Sequence, residues 1–330
     1  MTQIKWGILS AANIAYDQLV PALRRSGHGF VTAVASKNKG KAERFQVPEI
    51  YERYDALLKA PNIDAVYIPL PNALHAEWAV KAMNHGKHVL LEKPAALTEA
   101  EMVAIKEAAD KNDVVFMEAF MYQFHKQHER VKELLVSEVI GEWRHVKAHF
   151  SWMLDNDEDI RLSRELGGGA MRDVGCYGIH AVTQIVGFRP ANLSMTARIP
   201  SKYGVDITST CVMADENGRT AEIFASMEMP FINRYEIIGS KGSITVDSSF
   251  RPDESSDGFG KVTVRDSNYH VILLESHSDD QYLNQVEHFH ECILKNKQPA
   301  YNAAHSVDMA RYLEKSYESL ENNSILVNVG

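Results

Sequence analysis

A chain of 330 residues is too long for one typical hydrophobic core and calls for about two domains. Its 45% hydrophobic and 24% charged residues are ordinary for a globular protein, and a net charge of −9 argues against general nucleic-acid binding, since phosphate neutralisation needs a basic face. Three widely spaced cysteines, Cys176, Cys211 and Cys292, argue against a disulfide framework or a zinc cluster, so no metal site is expected. No apolar run approaches a membrane span, and Met1-Thr2-Gln3-Ile4-Lys5-Trp6 lacks a basic region followed by an apolar core. The expected location is the cytoplasm, and the expected partner is a small molecule.

In chain order, Gln3 to Leu9 reads as a strand ending in Ser10-Ala11-Ala12, followed by a helix from about Asn13 to Arg25. Strand, small-residue turn and helix open a dinucleotide-binding unit, because small residues let the backbone approach a pyrophosphate and the helix start offers it N–H groups. The glycine fingerprint is degraded: Gly7 is present, but Ser10, Ala12 and Ala15 stand where glycines or their small substitutes belong. The next strand, Phe30 to Ala35, ends in Ser36-Lys37-Asn38-Lys39-Gly40-Lys41. An acidic residue here would bond the adenosine ribose, whereas hydroxyl and cationic groups suit a 2′-phosphate, so the pattern favours NADP, with NAD the alternative.

Asp64 to Pro69 is a third buried-strand pattern, followed by Leu70-Pro71-Asn72-Ala73-Leu74-His75 and a helix to about His85. Val89-Leu90-Leu91 then runs apolar into Glu92-Lys93-Pro94, at the carboxyl end of a strand, where open α/β sheets bind ligands. Pro94 biases Lys93 away from helix and holds it in an extended or turn conformation. Thr98 with Glu101 forms a capping-box pattern for a helix to about Lys111, and Val114 to Met117 is the last strand of this half. Strands alternating with helices at this spacing imply a parallel, doubly wound sheet over residues 1–120.

Residues 121–330 read differently. A helix (Gln127 to Ser137) and a long strand (Glu142 to Met153) lead to an acidic loop and Leu166-Gly167-Gly168-Gly169, then a helix from Ala170 to about Val186. Seven strand-like stretches follow between Leu193 and Glu275, with turns at Glu216-Asn217-Gly218 and Ser240-Lys241-Gly242, and two helices finish the chain. This is an α+β domain with a large, mainly antiparallel open sheet. On its glycine-led helix, Asp173, Tyr177, His180 and Gln184 fall at spacings of four, three and four, so they share a face. Such a polar row either bonds internally or lines a cleft.

The motifs Glu92-Lys93-Pro94, Pro71-Asn72 with His75, and Leu166-Gly167-Gly168-Gly169-Ala170 followed by Asp173 and Tyr177 resemble the Gfo/Idh/MocA oxidoreductase family over nearly the whole chain. Glu118-Ala119-Phe120-Met121-Tyr122-Gln123-Phe124-His125 resembles the branch with dimeric dihydrodiol dehydrogenases and the glucose-fructose oxidoreductase type. The resemblance implies a Rossmann domain plus an α+β domain, and hydride exchange between a nicotinamide and a carbon bearing a hydroxyl.

It further implies that Ser10, Ala11, Ala12, Asn13 and Ile14 cradle the pyrophosphate. Ser36, Lys37 and Lys41 would hold the adenosine end, and Pro69, Leu70, Asn72, His75, Glu92 and Lys93 the nicotinamide half. Lys93 would bond the reacting oxygen, Tyr177 exchange its proton, and Asp173 orient Lys93 or the substrate. A free tyrosine titrates near ~10, and a neighbouring ammonium favours its phenolate. Tyr122, Trp152, Arg161 and His180 complete the expected substrate set, with Tyr122 and Gln123 replacing a more usual arginine-containing pair.

The expected reaction is NADP-dependent oxidation or reduction of a sugar, inositol or cyclic trans-diol. The alternatives are a cofactor-binding sensor and a glycoside hydrolase that recycles its nicotinamide internally. A homodimer or homotetramer is expected through the C-terminal sheet, with Val212, Ala214, Ile223, Ala225 and Met227 as the contact face.

Overall fold

A computed structural model describes residues 3–330 and divides into two compact units. The first comprises the chain to Met121 together with Asp280–Ala310; the second comprises Tyr122–Asp279 and Arg311–Gly330. The sequence places residues 121–330 in a second domain whose C-terminal helix can pack back on the first, and residues 280–310 group with the first unit.

In the first unit, β1 (Ile4–Leu9) leads into a helix that starts with a π-turn, Ala15–Leu19, and continues as α1 (Val20–Ser26). Then come β2 (Gly29–Ala35), α2 (Lys39–Glu43), β3 (Glu49–Tyr51), α3 (Tyr54–Leu58) and β4 (Ala65–Ile68). The alternation continues through α4 (His75–Asn84), β5 (His88–Leu91), α5 (Glu99–Asn112) and β6 (Phe116–Glu118). The strands form a parallel sheet in the order β3-β2-β1-β4-β5-β6. The strand order reverses between β1 and β4, which opens a crevice at their carboxyl ends. Strands buried on both faces read as continuous apolar runs, and Val66, Ile68, Val89 and Leu91 form the core with Met83, Met102 and Ile105 from α4 and α5.

The capping box of α5 is half as expected. Thr98 accepts the N–H of Glu101 (3.2 Å), but the Glu101 carboxylate reaches back to the N–H of Leu97 (2.9 Å). On the other side of the sheet, α8 (Gln281–Leu294) packs against α1, with Phe289 5.3 Å from Trp6 and the Trp6 indole N–H donating to His290 at 3.0 Å.

In the second unit, α6 (Lys126–Val136) precedes β7 (Trp143–Met153). A helix follows in three pieces: a π-turn at Met171–Gly175, α7 (Cys176–His180) and a second π-turn at Ala181–Ile185. Strands β8 (Asn192–Arg198), β9 (Thr208–Ala214), β10 (Thr220–Ser226), β11 (Glu228–Gly239), β12 (Gly242–Asp247), β13 (Gly260–Asp266), β14 (Val271–His277) and β15 (Val327–Asn328) join β7 in one sheet. Its order is β14-β13-β12-β11-β7-β10-β9-β8-β15, antiparallel except for the β7–β10 pair. The last long helix, α9 (Ala303–Glu321), contributes residues to both units.

The helix over 170–185 lies close on the sheet because Gly178 carries no side chain: a Cβ there would meet Ile223 at 2.7 Å and Ala148 at 3.2 Å. That contact corrects the expected oligomer face. Cross-strand partners share a side of a sheet, and Ile223 pairs with Cys211 while Val212 pairs with Glu222. Ile223, Ala225 and Met227 are buried within the single chain, and Val212, at 44% exposure, points the other way. The five residues therefore do not make one contact surface.

Candidate active site

Ser10, at the carboxyl end of β1, adopts φ +99°, a conformation costly for any residue with a Cβ and normally left to glycine. This is where the degraded fingerprint lacks its glycine. Ser10 donates its N–H to Ala35 at the end of β2 (2.9 Å), so the turn is tied to the neighbouring strand. Ala11 is buried, Ala12 and Ile14 are half-buried, and Asn13 is exposed at the helix start.

Ser36 follows β2 with its hydroxyl accepting the N–H of Asn38 (3.1 Å), and Asn38 caps α2 by accepting the N–H of Lys41 (3.0 Å). The caps order the segment, while the Lys37 and Lys41 side chains stay exposed. Arg44, which no motif pointed to, closes the cradle. One Nη donates to the Ala11 carbonyl (3.1 Å) and the Asn13 side chain (2.9 Å), and the guanidinium lies 4.5 Å from the Tyr16 ring centroid. Its buried Nε meets no protein acceptor. A turn of small residues, a helix start, the Ser36 hydroxyl and exposed ammonium groups at the β2 end and this unspent guanidinium donor fit a dinucleotide with a phosphorylated ribose.

The β5 end is held by hydrogen bonds from several elements. The Lys93–Pro94 peptide is cis. Glu92 accepts the Tyr67 hydroxyl and donates its N–H to Ile68 (3.2 Å), and Lys93 donates its N–H to the Glu92 carboxylate (3.3 Å). His75, expected beside the nicotinamide, has no exposed surface; its ring nitrogens lie 2.8 Å from the carbonyls of Pro94 and Leu70. Burial lowers its pKa against the pull of those carbonyls. His75 thus ties the two ligand-facing loops together from beneath. Pro69 and Leu70 are likewise buried, while Asn72, Glu92 and Lys93 are half-buried.

In the second unit, Asp173 is held by Arg161 Nε (3.0 Å) and Trp152 Nε1 (3.2 Å), so three expected residues meet at one carboxylate. Asp173 and Asp159 hold the Arg161 proton even more firmly than usual. Tyr177, four residues on, is 6% exposed and surrounded by the rings of Phe150 (5.3 Å), Phe250 (5.5 Å) and Tyr122 (5.7 Å). Tyr122 and His180 have no exposed surface and bond each other, Tyr122 Oη to His180 Nδ1, at 2.6 Å. Within this unit they pack behind Tyr177, the Tyr122 ring meeting Tyr177 and His180 meeting Tyr122 at 5.3 Å. Burial raises the Tyr122 pKa well above the phenol value.

The triple glycine sets the start of this helix. Gly168 donates its N–H to Ser163 (2.9 Å), and a Cβ on it would strike the Arg161 carbonyl at 2.2 Å. Gly169, at φ +126°, leaves room for the buried Asp206, whose carboxylate accepts the Met171 N–H (2.8 Å) and the Tyr317 hydroxyl (2.8 Å). Asp206 is a helix cap supplied from a distant loop, which no local sequence signal announces.

Residues 4–120 match the model of an oxidoreductase family with an NAD-binding Rossmann fold, and residues 128–245 match the Gfo/Idh/MocA C-terminal domain. The chain belongs to the Gfo/Idh/MocA oxidoreductase family. Like other members, it is an NAD(P)-dependent oxidoreductase acting on CH–OH groups. It is 33% identical to D-xylose 1-dehydrogenase (NADP(+)) 2 of Haloferax volcanii, over 96% of this chain and 97% of that one. It is 30% identical to the trans-1,2-dihydrobenzene-1,2-diol dehydrogenase of Xenopus laevis, over 96% and 98%. Among solved structures, KijD10, a 3-ketoreductase of Actinomadura kijaniata in complex with NADP and TDP-benzene, superposes with a TM-score of 0.88 at 30% identity, covering 97% of this chain and 98% of that one. Among the described residues, no group of histidine, cysteine and carboxylate side chains could hold a metal, and no helix is long and apolar enough to cross a membrane.

Proposed function

We propose that this chain is an NADP-preferring dehydrogenase or reductase that exchanges hydride with a secondary alcohol or ketone of a sugar, inositol or cyclic trans-diol. The observation that carries the reading is the Glu92-Lys93-Pro94 loop at the carboxyl end of β5, whose backbone is fixed by hydrogen bonds on both sides of Lys93. A bound nicotinamide supplies or accepts the hydride. Lys93 bonds the reacting oxygen of the substrate and stabilises the charge that develops there. Tyr177 gives or takes the proton of that oxygen, and the surrounding aromatic rings exclude water from its phenol. Asp173, fixed by Arg161 and Trp152, presents its carboxylate to the substrate's hydroxyl groups.

The NADP preference rests on Ser36, Lys37 and Lys41 standing where an NAD site would carry an acidic residue. Two features of the relatives support the substrate class: one is named for xylose, another for a cyclic trans-diol. The test is nicotinamide absorbance on purified protein given NADP or NAD with a panel of aldoses, inositols and trans-diols. Turnover with NADP on one class is expected. Turnover with NAD alone would overturn the cofactor preference, and tight NADP binding without turnover on any member would favour a sensor or an internally recycling hydrolase.

A further inference from the structure

We infer that Glu118, braced by Tyr301, is a positioning residue that fixes the backbone carrying Lys93; this rests on the catalytic reading of Lys93. Glu118 ends β6, and the residue is 1% exposed. Oε1 accepts the N–H of Ala95 at 2.8 Å, and Oε2 accepts the hydroxyl of Tyr301 at 3.2 Å. Burying a carboxyl is costly unless it is hydrogen-bonded, and a core strand end could carry an apolar residue instead. Burial pushes its pKa up to about 7, and nearby Glu92 adds to the push.

What this carboxyl accomplishes is visible along the loop. Lys93 bonds Glu92 through its N–H, the Pro94 carbonyl meets His75, and Ala95 donates to Glu118. His75, at the start of α4, and Glu118, at the end of β6, therefore grip opposite sides of the same peptide unit, Pro94–Ala95, just beyond Lys93. Tyr301 is itself held, stacked on His305 (5.6 Å, 21° between planes) and edge-on to Phe120 (6.0 Å). A catalytic amine must be held within a fraction of an ångström of its productive place, and a 1 Å error can cost about 100-fold in rate.

The experiment compares Glu118→Ala, Glu118→Gln and Tyr301→Phe in the full chain. It reads kcat, the NADP dissociation constant and amide hydrogen exchange at Ala95 without added cofactor. Glu118→Ala should speed exchange at Ala95 and lower kcat about 30-fold, with the NADP dissociation constant changed less than about threefold. Glu118→Gln keeps an acceptor for Ala95 and should recover most of both. Tyr301→Phe deletes one hydroxyl, spares the fold and should give a partial loss of each. Unchanged exchange and kcat in Tyr301→Phe and Glu118→Ala, or a glutamine variant as impaired as alanine, would overturn the assignment. If Lys93→Met kept full turnover, the catalytic reading would fail, while the exchange data would still report whether Glu118 holds Ala95.

Discussion

Arg161 Nε lies 3.0 Å from Asp173 Oδ1, and the same guanidinium grips Asp159 at 3.2 Å through Nη1. Arg161 thereby fixes a carboxylate one helical step before Tyr177. Replacing Arg161 by alanine should lower kcat/KM about 10- to 100-fold, and Asp173→Asn should do at least as much. Because the two act as one unit, the double variant should lose far less than the sum of the single losses. Steady-state kinetics of the full cycle provides the check, and strict additivity would dissociate the pair.

Arg44, just after α2, supports the cofactor turn. Arg44→Ala removes two charge-assisted hydrogen bonds and should weaken NADP and NAD binding alike, by roughly 10-fold. Lys37→Ala should instead weaken NADP by about 10-fold and leave NAD nearly unchanged, since only the 2′-phosphate needs that charge. Fluorescence titration of both cofactors separates the two effects.

Ser10 holds a left-handed conformation that glycine adopts freely. Ser10→Gly should raise the melting temperature of the cofactor-free protein, the relieved strain being on the order of 1 kcal/mol. A lower melting temperature would mean that the Ser10 side chain stabilises the turn by more than its strain costs.

His128 is wholly buried, 2.8 Å from the Tyr235 hydroxyl and 2.9 Å from the Ser249 carbonyl, and burial lowers its pKa to about 3. The unfolded chain takes up a proton here near pH ~6.5 and the folded chain only near 3. Protons therefore favour the unfolded state, and stability should fall as pH drops from about 6.5 toward 3. His128→Gln should flatten the acid limb of a melting-temperature profile while lowering the plateau.

The alternating architecture was legible because buried parallel strands are apolar throughout and their helices are punctuated by caps and small residues. The stretch between Ser36 and Asp64 was not, since β3 has only three residues and neither α2 nor α3 exceeds five, too short for periodicity to speak. Lys93, Asp173 and Tyr177 could be read from local motifs. Arg44, Asp206 and Tyr301 could not, because each acts through a partner 31 or more residues away, and Glu118 fell one residue beyond the strand expected over Val114 to Met117. The Asp173-to-Gln184 row assumed one regular helix, whereas two π-turns interrupt it, and the expected oligomer face mixed residues from opposite sides of two strands.

In the proposed reaction Lys93 and Tyr177 perform the chemistry. Lys93→Met and Tyr177→Phe, assayed for turnover on the best panel substrate and for NADP binding in parallel, test it most directly. The expected result is a loss of kcat of about 100-fold or more in each, with the NADP dissociation constant changed by less than about 10-fold. Near-normal turnover in both variants would contradict it.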